Sequence, residues 1–221
     1  MYLKHEGILN DNLEATIQAI FTEFYMRNCH IQCQLSDLCT LCSSKRVFAD
    51  DYVDNGIPFY RGGEITLKQK GQPVNDPLFI SDAHFKELKE KYGAPIKDDI
   101  LITAVGTIGN SYLVDRENFY FKDGNIIWLK DFSKYEYRFF IYDFMQSSLF
   151  QSSLEAISIG STQTALTIAA LSDIKVLVPI FDKLKSYAKQ SSMIRKNIQQ
   201  NNMELEELHH MSEFILSSLN R

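Results

Sequence analysis

The sequence predicts an α+β protein: one twisted-sheet domain held between helices, the last of them long enough to form a coiled coil. Three observations predict it. Residues 30–180 are cut by glycine and proline into short β-branched and aromatic runs. Two helix-like stretches interrupt those runs. Residues 182–220 hold neither glycine nor proline and repeat apolar residues in alternating steps of three and four. The chain divides accordingly into an N-terminal helix at 1–29, a sheet domain at 30–180 and a long helix at 181–221.

Each element has a local reason. In "ILNDNLEATIQAIFTEFYMR", residues 8–27, Leu13, Ile17, Ile20 and Phe24 share one helical face. Asn10 or Asp11 suits the cap, and Glu14 lies where a capping box needs it after Asp11. "GIPFYRGGEITL", "DDILITAVGTIGNSYLV", "GNIIWLKD" and "SDIKVLVPI" read as strands cut by turns. "SDAHFKELKEKYG" reads as a helix with Ser81 as cap and Gly93 as stop. A second helix is predicted over "YEYRFFIYDFMQSSLFQSSLEAI". The terminal helix carries Leu184, Tyr187, Ser191, Ile194, Ile198, Asn201, Leu205, Leu208, Ser212, Ile215 and Leu219 along one seam of about five heptads. At ~1.5 Å per residue it is a rod of ~58 Å, longer than such a domain is wide, so its stripe needs a partner. Asn201, in mid-seam, suits a register-fixing polar contact.

Composition narrows the function classes. A hydrophobic content of 45% is that of a folded domain. No apolar run approaches the ~20 residues that span a bilayer, and "MYLKHEGILNDNLEATIQ" has no secretory pattern, which points to the cytoplasm. Cys29, Cys33, Cys39 and Cys42 follow C-x3-C and C-x2-C spacings, the first pair without a glycine knuckle, and read as reduced, mostly buried thiols rather than a zinc site. No G-x-S-x-G elbow, P-loop or N-P-P-aromatic tetrapeptide is present, and the glycines of "RGGEI" and "VGTIGNS" do not make G-x-G-x-x-G. His209 and His210 fall on a solvated helix, and Asp98 and Asp99 are turn formers before a strand. The chain reads as a binder. Its net charge of −5 weighs against nucleic acid, although the local field decides.

Binding residues are concentrated in turns between strands. Lys45 and Arg46 follow two serines in "SSKRVFADD". Tyr60, Arg61, Lys68 and Lys70 surround a paired glycine, which lets backbone approach a ligand. Arginine reads guanine edges and lysine meets phosphate. "TAVGTIGNS" offers Thr103, Thr107, Asn110 and Ser111; "GSTQT" offers Ser161, Thr162 and Gln163, and glutamine can read adenine. Singly, each set is an ordinary surface turn. Together they suggest one composite surface.

In order, "GIPFYRGGEIT", "DDILITAVGTIGNSYLV" and "GSTQTALTIAALSDIKVLVPI" followed by a long helix resemble the target recognition domain of Type I restriction–modification specificity (S) subunits. Gly56 to Ile65, Asp99 to Gly109 and Gly160 to Pro179 match that family's ordered motifs, and "NDNLEATIQAIFTEFY" resembles its other helix. "PIFDKLKSY" departs from the family's P-P-L-x-E-Q, which puts contacts there in doubt. The resemblance implies a non-catalytic subunit that holds double-stranded DNA and recruits methyltransferase (M) and restriction (R) subunits. S-adenosylmethionine would then belong to the M partner, ATP and Mg to the R partner, and no cofactor to this chain. An S subunit carries two recognition domains separated by helices that act as a ruler, so this chain resembles half of one.

A half subunit is expected to form a homodimer through the long helix, antiparallel about a two-fold, using Ile194, Ile198, Asn201, Leu205, Leu208 and Ile215. Its target would be bipartite and palindromic, and the rod would span about one and a half duplex turns of ~34 Å. The DNA contacts expected first are Arg61, Lys45, Arg46, Lys68 and Lys70, then Thr107, Ser161, Thr162 and Gln163. Two other readings stay open. One is a coiled-coil scaffold that docks protein and ignores DNA; the other is an S fragment stable only with M subunits. Steep weakening by salt separates DNA binding from apolar docking.

Overall fold

The computed structural model describes residues 2–159 and 165–219. In chain order the first half comprises α1 (Tyr2–Asn28), β1 (Cys29–Gln34), β2 (Thr40–Cys42), β3 (Tyr52–Val53), β4 (Ile57–Tyr60), α2 (Gly62–Gln69), β5 (Leu78–Ile80) and α3 (Asp82–Tyr92). The second comprises β6 (Ile100–Thr103), β7 (Ser111–Leu113), β8 (Tyr120–Phe121), β9 (Ile126–Lys130), α4 (Tyr137–Met145), α5 (Ser148–Ile159), α6 (Ile168–Ser172), β10 (Lys175–Pro179) and α7 (Phe181–Leu219).

Two four-stranded sheets build the domain. The central one has the order β2-β9-β6-β7 and is antiparallel throughout. The other has the order β3-β5-β4-β8, with β4 and β8 parallel. Strand β6 is buried at all four positions, which explains its unbroken "ILIT". A separate ribbon pairs β1 with β10 and ties the end of α1 to the start of α7. The largest core cluster lies between the central sheet and the helices: Phe21 packs on Phe140 with centroids 5.6 Å apart, and Phe24 stacks on Tyr187 at 4.5 Å.

The α3 boundaries agree with the sequence. The Ser81 side chain accepts from the His84 N–H at 3.2 Å, and Gly93 ends the helix. Four expectations need correction. Helix α1 begins at Tyr2, so Asn10 and Asp11 lie inside it and Asn10 serves α7 instead of a cap. "EITL" is helical, not a strand, because Glu64 accepts from the Arg61 backbone N–H at 2.9 Å and starts α2. The helix expected after residue 134 is two, α4 and α5, broken at Gln146 and Ser147. "CHIQCQ", not expected as a strand, is β1.

Asp99 is buried at the head of β6, where it accepts from the Trp128 indole N–H at 2.8 Å and the Ile96 N–H at 3.0 Å. Its neighbour Asp98 turns the chain at φ 68° and accepts from the Tyr135 hydroxyl. The acidic pair is structural. Burial pushes the Cys29 and Cys39 thiols up to about 12, so both stay protonated at neutral pH. Among the described residues no helix is long and apolar enough to cross a membrane, and no three His, Cys, Asp or Glu side chains converge as a metal site.

Helix α7 finds a partner for part of its stripe inside the chain. It runs antiparallel to α1, with Phe24 beside Tyr187, Glu14 3.5 Å from Arg195, and Asn10 bonded to both Asn201 and Asn202. The register-fixing contact expected of Asn201 is made here with Asn10, at 2.8 Å. Along the seam Ile198 is buried, Ile194, Leu205 and Leu208 are half-buried, and Ile215 is exposed.

Candidate nucleic-acid interface

The sheet register brings four distant turns to one end of the domain. Strands β2 and β6 finish, and β7 and β9 begin, at the same end of the central sheet. Parallel pairing of Phe59 with Tyr120 and Tyr60 with Phe121 delivers the ends of β4 and β8 there as well. Backbone and hydroxyl bonds join the turns. The Lys122 N–H donates to Tyr60 O at 2.9 Å, Ala104 N–H to Asn125 O at 2.8 Å, and Gly124 N–H to the Ser43 hydroxyl at 3.2 Å. A fifth segment joins through Ala165, which bridges to Val105.

The side chains on this end are mostly cationic or small and polar. Arg61 is exposed at the start of α2, its guanidinium paired with Glu64 at 2.5 Å. That carboxylate pushes the Arg61 pKa further up and holds the side chain beside the glycine pair. Arg46 is exposed and pairs with Asp123 at 2.9 Å. Lys45 lies over the Tyr92 ring at 5.4 Å, while its backbone N–H donates to the Tyr120 hydroxyl. Thr107 is exposed and shares a 3.0 Å hydrogen bond with Thr66, which also accepts from Asn110.

The turn backbone is open. A methyl group added at Gly63 or at Gly106 would meet nothing within 4 Å, and Gly106 holds φ +78°, where only glycine sits without strain. A ligand backbone can approach both turns closely.

The expected site residues separate into two groups. Arg61, Arg46, Lys45 and Thr107 share the loop end. Lys68 and Lys70 do not, because α2 carries them away from it by about 10 Å. They line a cleft of about 680 Å³ between the domain and α7. There Lys68 pairs with Glu117 at 2.6 Å, and Glu117 also accepts from the Tyr112 hydroxyl at 2.6 Å. Ser161, Thr162 and Gln163 lie outside the described residues, as do the side chains of His209 and His210.

One residue at the loop end was not among the expected contacts. Lys122 is exposed and follows directly on β8, beside Arg61. Its only local signal is a lysine ahead of the Asp123-Gly124 turn; its neighbourhood with Arg61 comes from parallel pairing of strands about sixty residues apart.

Comparison with known proteins agrees with this architecture. Residues 32–209 match the family Methylase_S, the Type I restriction modification DNA specificity domain. A Haemophilus influenzae protein named provisionally as a type I restriction enzyme specificity subunit is 37% identical over 113 residues, covering 48% of this chain and 28% of that protein. The Type-I restriction-modification S subunit from M. genitalium superposes with a TM-score of 0.65 at 17% identity, over 97% of this chain and 55% of that one. The HsdS subunit from Thermoanaerobacter tengcongensis gives 0.55 at 13% identity, over 93% and 50%. At such identities these likenesses establish the fold. The chain spans about half the length of the solved S subunits and 28% of the curated relative. The match over residues 32–209 makes this chain a member of the Type I restriction modification DNA specificity domain family.

Proposed function

We propose that this chain is a sequence-recognition subunit of a Type I restriction–modification system, with double-stranded DNA as its ligand. One observation carries the reading: five separate segments converge on one end of the sheets and offer Arg46, Arg61, Lys122 and two open glycine turns there. A chain of net charge −5 thus gathers cations where its backbone is most approachable. Arg61 is assigned to a base edge in the major groove, Lys122 and Lys45 to phosphate, and Arg46 and Thr107 to either.

On this reading the chain performs no chemistry. Methyl transfer from S-adenosylmethionine and ATP- and Mg-dependent restriction belong to M and R partners. Helices α1 and α7 form the stem, and the domain between them forms the reader. Two copies pair about a two-fold through the outer half of α7, where Met203 and Met211 are exposed and Leu205 and Leu208 are half-buried beside them. The inner half of the seam, with Ile198 and Asn201, is occupied by the same chain's α1.

The test is methylome sequencing of a cell carrying this chain with its M subunit, followed by binding of the modified duplex across a salt series. A gapped palindrome and a steep loss of affinity with salt are expected. A salt-insensitive association, or no duplex binding beside M subunits, overturns the reading.

A further inference from the structure

Beside the apolar packing of Leu184 and Tyr187 in the core, two polar clasps join helix α7 to the rest of the described molecule. At the inner point the Asp143 carboxylate on α4 is fully buried. It accepts from the Tyr187 hydroxyl at 2.5 Å and the Ser191 hydroxyl at 2.7 Å, and it pairs with the Arg195 guanidinium. All three donors come from successive turns of α7. Arg195 is nine-tenths buried; it also reaches Glu14 of α1 at 3.5 Å and sits 4.3 Å from the Tyr142 ring centroid. Gln18 of α1 donates to the Asp143 carbonyl at 3.2 Å. Three helices therefore meet at one residue, α7 through its carboxylate and α1 through its backbone carbonyl.

The outer fastening lies seven residues further along α7, about 10 Å away. Asn10 bonds Asn202 at 2.7 Å and Asn201 at 2.8 Å. The domain touches the same spot through Gly71, where an added Cβ would stand 3.0 Å from the Asn202 side-chain oxygen; Gly71 itself holds φ +62°. The hydrophobic effect is non-directional, whereas hydrogen bonds to a buried charge hold one geometry. Replacing a buried ion pair by apolar groups is often neutral for stability. What this network adds to the apolar packing around it is direction, and two points fix the direction of a rod.

Direction is the quantity a two-headed reader needs. From Arg195 to the end of α7 is about 36 Å. A tilt of about 10° at the fastening moves the tip about 6 Å, roughly two base pairs at ~3.4 Å each. We infer that Asp143 and Arg195, with Asn10, Asn202 and Gly71 as the second clasp, are positioning residues that set the length of the unspecified gap in the DNA target. They do so without touching DNA. This rests on the proposed function, which supplies the two half-sites.

Two measurements on the full chain test it. The first selects duplexes from a library with two fixed half-sites and a randomised gap, using the chain together with its M subunit. The original chain is expected to accept one gap length. The paired variant Asp143→Leu/Arg195→Met, which leaves no lone buried charge, and the milder Asn202→Ala are expected to accept at least two neighbouring lengths, with the half-site bases unchanged. The second measures the distance distribution between spin labels carried by non-natural residues at the exposed positions Lys86 and Glu207, away from the four native cysteines. The distribution should broaden in both variants. A single unchanged gap, or an unchanged distribution, in variants that melt cooperatively overturns the inference. If the original chain selects no gapped duplex, the proposed function fails, and the distance measurement still decides whether the fastening fixes the stem.

Discussion

The loop end of the sheets and the stem junction use the same kinds of residue for opposite purposes. At the junction both oxygens of the buried Asp143 carboxylate accept from their own chain, Oδ2 from Tyr187 and Ser191 and Oδ1 from Arg195. At the loop end Arg46 and Arg61 keep one acidic partner each while their side chains remain 66% and 47% exposed. A guanidinium enclosed by its own chain, as Arg195 is, is closed to a ligand by burial even though its Nε–H has no partner there; one tethered on a single side keeps exposed donors. The contrast teaches that the informative property of a charged residue is how much of its bonding capacity the fold has already used. Lys68 makes the point within one helix: it belongs to the same glycine-rich stretch as Arg61, yet Glu117 and the Tyr112 ring engage it in the cleft beside α7.

The sharpest way to break the comparison is Asp143→Ala. It strands the Arg195 guanidinium in the core, and a loss of about 3–5 kcal/mol is expected in urea unfolding. A loss below about 1 kcal/mol would place the junction with ordinary surface pairs. Next comes Arg61→Ala, expected to weaken binding of a cognate duplex by about 1–3 kcal/mol in fluorescence anisotropy. Its unfolding free energy should change by less than about 1 kcal/mol, because the pair is half exposed and Glu64 still caps α2 through the backbone. Equal loss in both assays would make Arg61 structural. Smaller still is the effect of Lys122→Ala: it should lower the slope of log affinity against log salt by about 1. Lys68→Ala should leave that slope unchanged, and a change would bring the cleft into the DNA surface.

The smallest effect is a pH dependence at the junction. Burial pushes the Glu14 carboxyl above its ordinary 4.5; Arg195 opposes, and Asp143 and Asp11 add to the rise. The native state therefore holds this proton more tightly than the unfolded chain. Its contribution to stability is whole below the unfolded value and fades as pH rises through the folded one. Glu14→Gln should flatten that part of the stability profile, read by thermal melts from pH 4 upward. A profile unchanged by the substitution would separate Glu14 from the junction.

The limits of reading the chain without its structure follow from particular residues. Ser81 and Gly93 were legible because a cap and a stop act within one helical turn. Asp11 and Glu14 carried the same kind of signal and misled, because the chain stays helical from Tyr2 and spends Asn10 and Glu14 on α7. "EITL" alternates like a strand, but a single carboxylate bonding back to Arg61 turns it into a helix. Lys122 carried almost no signal, since only the β4–β8 pairing sets it beside Arg61.

By itself, then, the sequence determined the class of fold, the ordered motifs and the long apolar stripe, all of which are encoded by residues close together along the chain. Only the tertiary structure decided which cations share a surface, that α1 covers the inner half of the stripe, and that Asp143 collects three donors from α7. Those outcomes depend on strand register and helix packing between residues far apart in sequence, where each contact is selected by everything else the core must bury at once.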